Sequence, residues 1–76
     1  MAKFELVRFI DPNDGEETFA QFADDRSLVA IYNTERTARR WFKEDDDMDS
    51  IEEALAMPGY AEAVEAALKG EVVATA

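Results

Sequence analysis

The stretch Leu28-Val29-Ala30-Ile31-Tyr32 is the clearest β-strand in the chain. It is short, apolar, and rich in β-branched and aromatic residues, a composition typical of strands. The acidic turn at residues 24–27 precedes it, and Asn33 or Thr34 follows as a candidate helix cap. This strand therefore stands at the junction between a β-rich first half and a helical second half.

Two further strands are predicted before it. Residues 17–23 form the second strand, although Phe19 and Phe22 are three apart, a spacing also typical of a helix. Residues 3–10 form the first strand, with Phe4, Leu6 and Ile10 on one face. Val7 and Phe9 lie on the other face, so partial cover of that face is also expected. The turn residues 11–15 join these two segments, which predicts a hairpin and an antiparallel meander of three strands.

Helical periodicity follows the third strand. A helix from Asn33 or Thr34 to about Glu44 is predicted, and its buried stripe consists of Ala38, Trp41 and Phe42. A second helix starts near Ile51, because Ser50 followed by Glu53 is a capping-box pattern, with Asp49 and Glu52 as the alternative.

The second helix is predicted to bury Ile51, Ala54 and Leu55, and Pro58 and Gly59 end or kink it. A final helix over about residues 60–69 is predicted to expose Glu62 and Glu65, with Gly70 as its C-cap. Its buried side chains are expected to be Tyr60, Val64 and Leu68. Residues 71–76 are either a frayed tail or a short added strand.

These elements predict one α+β domain over residues 1–76, a three-stranded antiparallel sheet followed by two or three helices packed on one face. The chain has 76 residues, 47% hydrophobic content and no cysteine. It is too apolar for intrinsic disorder, and we expect neither a signal peptide nor a membrane span. A cytoplasmic protein is expected, in the host cell cytoplasm if the protein is viral.

The composition favours binding over catalysis. The chain has no His and no Cys, its two serines cannot assemble a nucleophilic triad, and its three glycines form no phosphate-binding pattern. Asp45, Asp47 and Asp49 match the start of a calcium loop, but Ser50 and Ala56 occupy its glycine and glutamate positions. We therefore expect no enzyme activity, no cofactor and no dedicated metal site.

Negative charge is concentrated in the second half. Residues 1–43 hold 8 acids and 7 bases, whereas residues 44–76 hold 10 acids and one base, Lys69, which accounts for most of the net charge of −10. Direct binding to nucleic acid or to an anionic membrane is disfavoured, and a basic partner is expected. The candidate partner-binding residues are Glu44, Asp45, Asp46, Asp47, Asp49, Glu52, Glu53, Glu62 and Glu65.

Simpler explanations cover part of this pattern. Acids in a first helical turn favour the helix dipole, and acidic surfaces aid solubility. Four consecutive acids at residues 44–47 are less well explained, because adjacent like charges repel. The basic cluster Arg36, Arg39 and Arg40 is better interpreted as neutralising nearby acids than as a nucleic-acid contact.

The three-strand scaffold ending at Tyr32, the helix with Trp41 and Phe42, and the acidic run from Glu44 together resemble small phage-encoded anti-CRISPR proteins. The resemblance is one of profile over the whole chain, without a shared motif. It implies a DNA mimic whose partner is the Lys/Arg-lined DNA channel of a Cas protein in a type I surveillance complex. Inhibitors of restriction enzymes, gyrase or RNA polymerase share this profile.

A second hypothesis stays open. The protein could instead be a structural or assembly module that pairs through a sheet edge, an apolar patch, or exposed Phe and Tyr residues. In either case we expect a monomer or a weak homodimer.

Overall fold

A computed structural model describes residues 3–42 and 48–76 of the chain. Within these residues the elements are β1 (Phe4–Ile10), β2 (Glu17–Ala23), β3 (Leu28–Tyr32), α1 (Glu35–Trp41), β4 (Asp49–Ser50), α2 (Ile51–Ala56), α3 (Tyr60–Leu68) and β5 (Glu71–Thr75). The α+β class and the three predicted strands are confirmed. Their turns use the expected chemistry: Asn13 donates its backbone N–H to Asp11 Oδ1, and Gly15 has a φ of +73°.

The sheet has five strands in the order β4-β3-β2-β1-β5, all antiparallel, so the prediction of three strands was wrong. Residues 71–75 form an edge strand on β1, and Asp49 and Ser50 add a two-residue strand beside β3. The strand β5 confirms the short added strand that was predicted for residues 71–76 as the alternative to a frayed tail. The strand β4 was not predicted, because two residues are too few to show an alternation of apolar and polar side chains.

The helices cover both faces of the sheet, which corrects the prediction of a single covered face. On one face, α2 and α3 pack Ala54 and Val64 against Val7 and Phe22. On the other face, α1 packs Ala38 against Leu6 and Phe19. Since Phe19 and Phe22 belong to opposite core faces, the spacing that resembled a helix results from a central strand buried on both sides.

Gly70 connects α3 to β5 where the chain passes close to β1. A Cβ atom at this position would lie 2.6 Å from both the Arg8 carbonyl oxygen and Val7 Cγ1. The helix C-cap is Lys69, so the glycine is required by the close approach of two backbones rather than by capping as predicted.

Candidate functional site

The helix α2 starts as its sequence predicted. Ser50 is its N-cap, and the hydroxyl oxygen of Ser50 accepts a hydrogen bond from the Glu53 backbone N–H at 3.1 Å. Ala54 is buried and Ile51 is half-buried against the sheet. Glu52 and Glu53 are therefore placed in the first turn with exposed side chains. Leu55 is 41% exposed, so its predicted burial was wrong.

The helix α3 begins at Tyr60, directly after Gly59, whose φ of +81° turns the chain back from α2. Ala63, Val64 and Ala67 are buried against the sheet. Glu62 and Glu65 are exposed as predicted. Leu68, predicted to be buried, is 40% exposed, and Tyr60 is only half-buried.

Asp49 lies on β4, opposite Val29, with an exposed side chain. The negative charge of Asp49 interacts electrostatically with the phenol of Tyr60 at the start of α3. Burial raises the pKa of the Tyr60 phenol, and the neighbouring charges of Asp49 and Tyr32 raise it further. Asp49 is thus close enough to α3 to act electrostatically on it.

We call the five exposed acids of these elements the acidic helical layer: Asp49, Glu52, Glu53, Glu62 and Glu65. They come from β4 and from the two helices that pack on the same side of the sheet. The other four predicted site residues, Glu44, Asp45, Asp46 and Asp47, lie outside the described residues.

The ion pairs of the described chain lie elsewhere. Arg8 bridges Glu17 and Glu71, Arg26 pairs with Glu5 at 2.9 Å, and Arg39 pairs with Glu35 at 3.0 Å. No member of the acidic helical layer is within 4.0 Å of the charged atoms of a described base. Within the described part of the chain, these five carboxylates are thus free to meet an external cation.

The opposite side of the sheet has a different character. Of the three α1 arginines, Arg39 is neutralised by Glu35, which partly agrees with the predicted self-neutralisation. The Arg40 guanidinium lies 5.8 Å from the centre of the Trp41 ring. Trp41 is 44% exposed, so its assignment to the buried stripe was wrong, whereas Ala38 is buried and Phe42 is half-buried.

The exposed apolar residues also differ from those predicted. All five Phe and both Tyr residues are buried or half-buried, so the exposed Phe and Tyr residues of the second hypothesis are not found. The large apolar residues that are exposed are Ile10, Trp41, Leu55, Met57, Leu68 and Val72. Helical periodicity assigned Leu55 and Leu68 to the core, but Ala54, Ala63, Val64 and Ala67 are the buried residues of these two helices.

Other classes of site find no support in the described residues. These residues contain no group of three or more acidic side chains arranged to hold a metal ion. No helix among them is long and apolar enough to cross a membrane. In comparisons with family models, with curated proteins and with solved structures, none matches this chain.

Proposed function

We propose that the protein is a non-enzymatic inhibitor whose acidic surface occupies a basic nucleic-acid-binding site on a partner protein. The observation that carries this proposal is the acidic helical layer. It presents five exposed carboxylates on one side of the sheet, and none of them pairs with a described base. The acids of residues 44–47 lie close to Asp49 in sequence, and the proposal includes them among the partner-binding residues.

Such a surface competes for the same cations as a phosphate backbone. Duplex DNA carries about one negative charge per 1.7 Å of its axis, and its binding proteins neutralise these charges with Lys and Arg. A rigid array of carboxylates can occupy the same Lys/Arg groove. Attraction between the two surfaces speeds association and weakens as salt screens the charges.

Folding alone accounts for only part of the layer. Glu52, Glu53 and Glu62 lie in first helical turns, where the helix dipole favours a negative charge. Glu65 lies beyond the first turn of α3, and Asp49 lies on a two-residue strand. Glu65 therefore gains nothing from the dipole at the start of α3, and the high local negative charge of the layer opposes compaction of the chain.

Among basic partners, we propose the DNA-binding channel of a type I CRISPR surveillance complex, which would make the protein a phage anti-CRISPR. The support is the resemblance in size, acidity and α+β class to that group of inhibitors. Restriction enzymes, gyrase and RNA polymerase also have basic DNA channels, and they serve as the comparison set.

The experiment measures competition with DNA. A purified type I surveillance complex is equilibrated with fluorescent target duplex, the protein is titrated in, and displacement of the duplex is followed by anisotropy across a salt series. The test variant combines Glu62→Gln with Glu65→Gln. The matched control combines Glu16→Gln with Asp24→Asn, which removes the same charge from two exposed carboxylates outside the layer.

We expect wild-type protein to displace the duplex, and the test variant to need about tenfold more protein, with the deficit shrinking at high salt. The control variant should resemble wild type. If both variants lost the same ability to displace the duplex, only the net charge of the protein would matter, which would contradict a defined binding site. The inhibitor proposal would be refuted if the protein displaced DNA neither from the surveillance complex nor from a single one of the comparison enzymes.

One observation favours the second candidate function, an assembly module. The strand β5 forms an outer edge of the sheet, and residues 72–76 carry no charged side chain. Edge strands of this kind pair with other chains.

A further inference from the structure

The strand β5 is the longer of the two outer strands of the sheet. It pairs with β1 on one side, and within the described residues no strand pairs with its other side. The opposite outer strand, β4, has only two residues and includes the charged Asp49. Natural proteins protect sheet edges with short strands and charged residues, and β4 carries both protections. β5 has five residues and neither proline nor lysine.

Hydrogen bonds at the end of the chain show which backbone groups face outward. Ala76 donates its N–H to the Phe4 carbonyl at 2.9 Å and accepts from the Phe4 N–H at 2.9 Å. In an antiparallel ladder, bonding alternates between the two sides of a strand from one residue to the next. The N–H and C=O groups of Thr75 therefore point away from β1, toward the open edge.

The side chains of this segment are also suited to pairing. Val72, Val73, Ala74, Thr75 and Ala76 are uncharged in a protein of net charge −10. Val72 is 43% exposed, and Val73 and Ala74 are half-buried. The register shift between Leu6 and Val7 leaves Val73 as the extra residue of β5, between the partners Val72 and Ala74, so the regular part of the edge runs from Ala74 to the end of the strand.

We propose that a second copy of this chain pairs with β5 in antiparallel orientation, which joins two five-stranded sheets into one of ten strands. A twofold axis at Ala74 places Thr75 of one copy opposite Val73 of the other, so only uncharged side chains face each other. The two Glu71 residues then lie about 20 Å apart along the strands. This exceeds the screening length of about 8 Å at physiological ionic strength.

A second copy fits this edge because the contact is self-complementary and contains no charged side chain. The short regular ladder makes the dimer weak, and the charge of −10 on each copy opposes it at low salt. Screening removes that opposition, so dimerisation strengthens as salt rises. Binding through the acidic helical layer has the reverse dependence, and the two proposals therefore fail independently.

The test is sedimentation equilibrium of the full chain over a wide concentration range at about 0.05 M and about 0.5 M NaCl, a range over which screening changes severalfold. We expect a monomer–dimer equilibrium whose dissociation constant falls at least about threefold at the higher salt. Amide NMR of the same samples should show concentration-dependent shifts centred on Val73 and Thr75.

Two variants test the edge directly. Thr75→Pro removes an outward N–H that β1 does not use, a position where sheet edges tolerate proline. Thr75→Lys keeps the backbone intact and adds the charge that natural edges use against pairing. Both should be monomeric at concentrations where wild type dimerises, and Thr75→Lys keeps the test valid if the proline variant fails to fold. The control Ser27→Ala, in the turn before β3, should dimerise like wild type.

A protein that stays monomeric at all concentrations and at both salts would overturn the proposal. So would a dimer that persists in a folded Thr75→Lys variant, since the contact would then lie elsewhere. A dimer that weakens as salt rises would also contradict it, because that dependence requires a charged interface.

Discussion

The side-chain amide of Asn13 donates a hydrogen bond to the Gly59 carbonyl oxygen at 2.8 Å and so joins residues that are 46 positions apart. Asn13 lies in the turn between β1 and β2, and Gly59 lies between α2 and α3. The same amide also donates to Asp11 Oδ1 at 3.1 Å. One side chain thus links the hairpin turn to the connection between the two acidic helices.

We predict that Asn13→Ala lowers the free energy of unfolding by about 1 kcal/mol, the usual net worth of an intramolecular hydrogen bond. The measurement is urea denaturation followed by far-ultraviolet circular dichroism. The control is Asn33→Ala, at an exposed asparagine whose side chain bonds to no other described residue. Equal stability of the Asn13 and Asn33 variants would show that the bond between the two turns contributes nothing.

Gly70 supports the second prediction. A methyl group at this position would lie 2.6 Å from the Arg8 carbonyl oxygen, which is backbone and cannot rotate away. We expect Gly70→Ala to destabilise the protein by about 1–3 kcal/mol, the range for overpacked sites.

Gly15→Ala is the informative comparison for that variant. Gly15 has a φ of +73° and no atom within 4 Å of an added Cβ atom, so alanine there costs only the backbone strain, about 1 kcal/mol. Thermal unfolding of both variants should place Gly70→Ala lower in Tm. The reverse order would mean that β1 and β5 separate easily at this point.

The third prediction concerns alkaline pH. Burial, followed by the charges of Asp49 and Tyr32, raises the pKa of the Tyr60 phenol above its ordinary value of 10.0. In the unfolded chain Tyr60 ionises at the ordinary value, so the unfolded state loses its proton first. The contribution of this residue to stability is therefore constant below that pH and falls as pH rises through and above it.

Ultraviolet titration near 295 nm should show a phenol in the folded protein that ionises above the ordinary value. Tyr60→Phe should flatten the alkaline loss of stability. Asp49→Asn should lower the pKa of Tyr60 only partly, since burial is the larger cause. A Tyr60 phenol that titrates at the ordinary pH would contradict the burial of this side chain at the start of α3.

The first half of the fold could be predicted from its sequence because its signals are local. The strands β1, β2 and β3 are separated by turns such as residues 11–15, whose residue types favour reversal of the chain. The N-cap Ser50 and the break at Gly59 likewise act through neighbouring residues, so the starts of α2 and α3 were predicted correctly.

The remaining features depend on tertiary contacts. The edge strand β5 forms because it pairs with β1, more than 60 residues away, and the pairing leaves no local pattern. Trp41 and Leu68 fit a helical apolar stripe by spacing, but α1 and α3 are so short that Ala38, Ala63 and Ala67 occupy most of their contact with the sheet. Exposure of a large side chain at the rim of such a contact cannot be predicted from spacing.

The sequence was sufficient to predict which acidic residues form the candidate site. It predicted only some of their positions in the fold. The exposure of Glu62 and Glu65 followed from the 3.6-residue period, since both lie opposite the buried face of α3 that Val64 helps to form. The placement of Asp49 beside the phenol of Tyr60 required the tertiary structure, because a two-residue strand positions it.

The last prediction separates carboxylates that serve the fold from one that does not. Glu52 and Glu53 lie in the first turn of α2, so Glu52→Gln and Glu53→Gln should each lower stability by about 0.3–1 kcal/mol through loss of the interaction with the helix dipole. Glu65 lies beyond the first turn of α3 and is three residues from Glu62. Glu65→Gln should leave stability unchanged to within about 0.5 kcal/mol, or raise it at low salt by relieving like-charge repulsion.

Urea denaturation of the three single variants at low and high salt measures these differences, and the DNA-competition assay is run on the same proteins. If a carboxylate serves binding and not folding, its replacement should weaken displacement of the duplex without lowering the free energy of unfolding. We expect this result for Glu65→Gln. If Glu65→Gln instead lowers stability as much as Glu52→Gln, then Glu65 serves the fold. The acidic helical layer would in that case lose the residue that best distinguishes binding from folding.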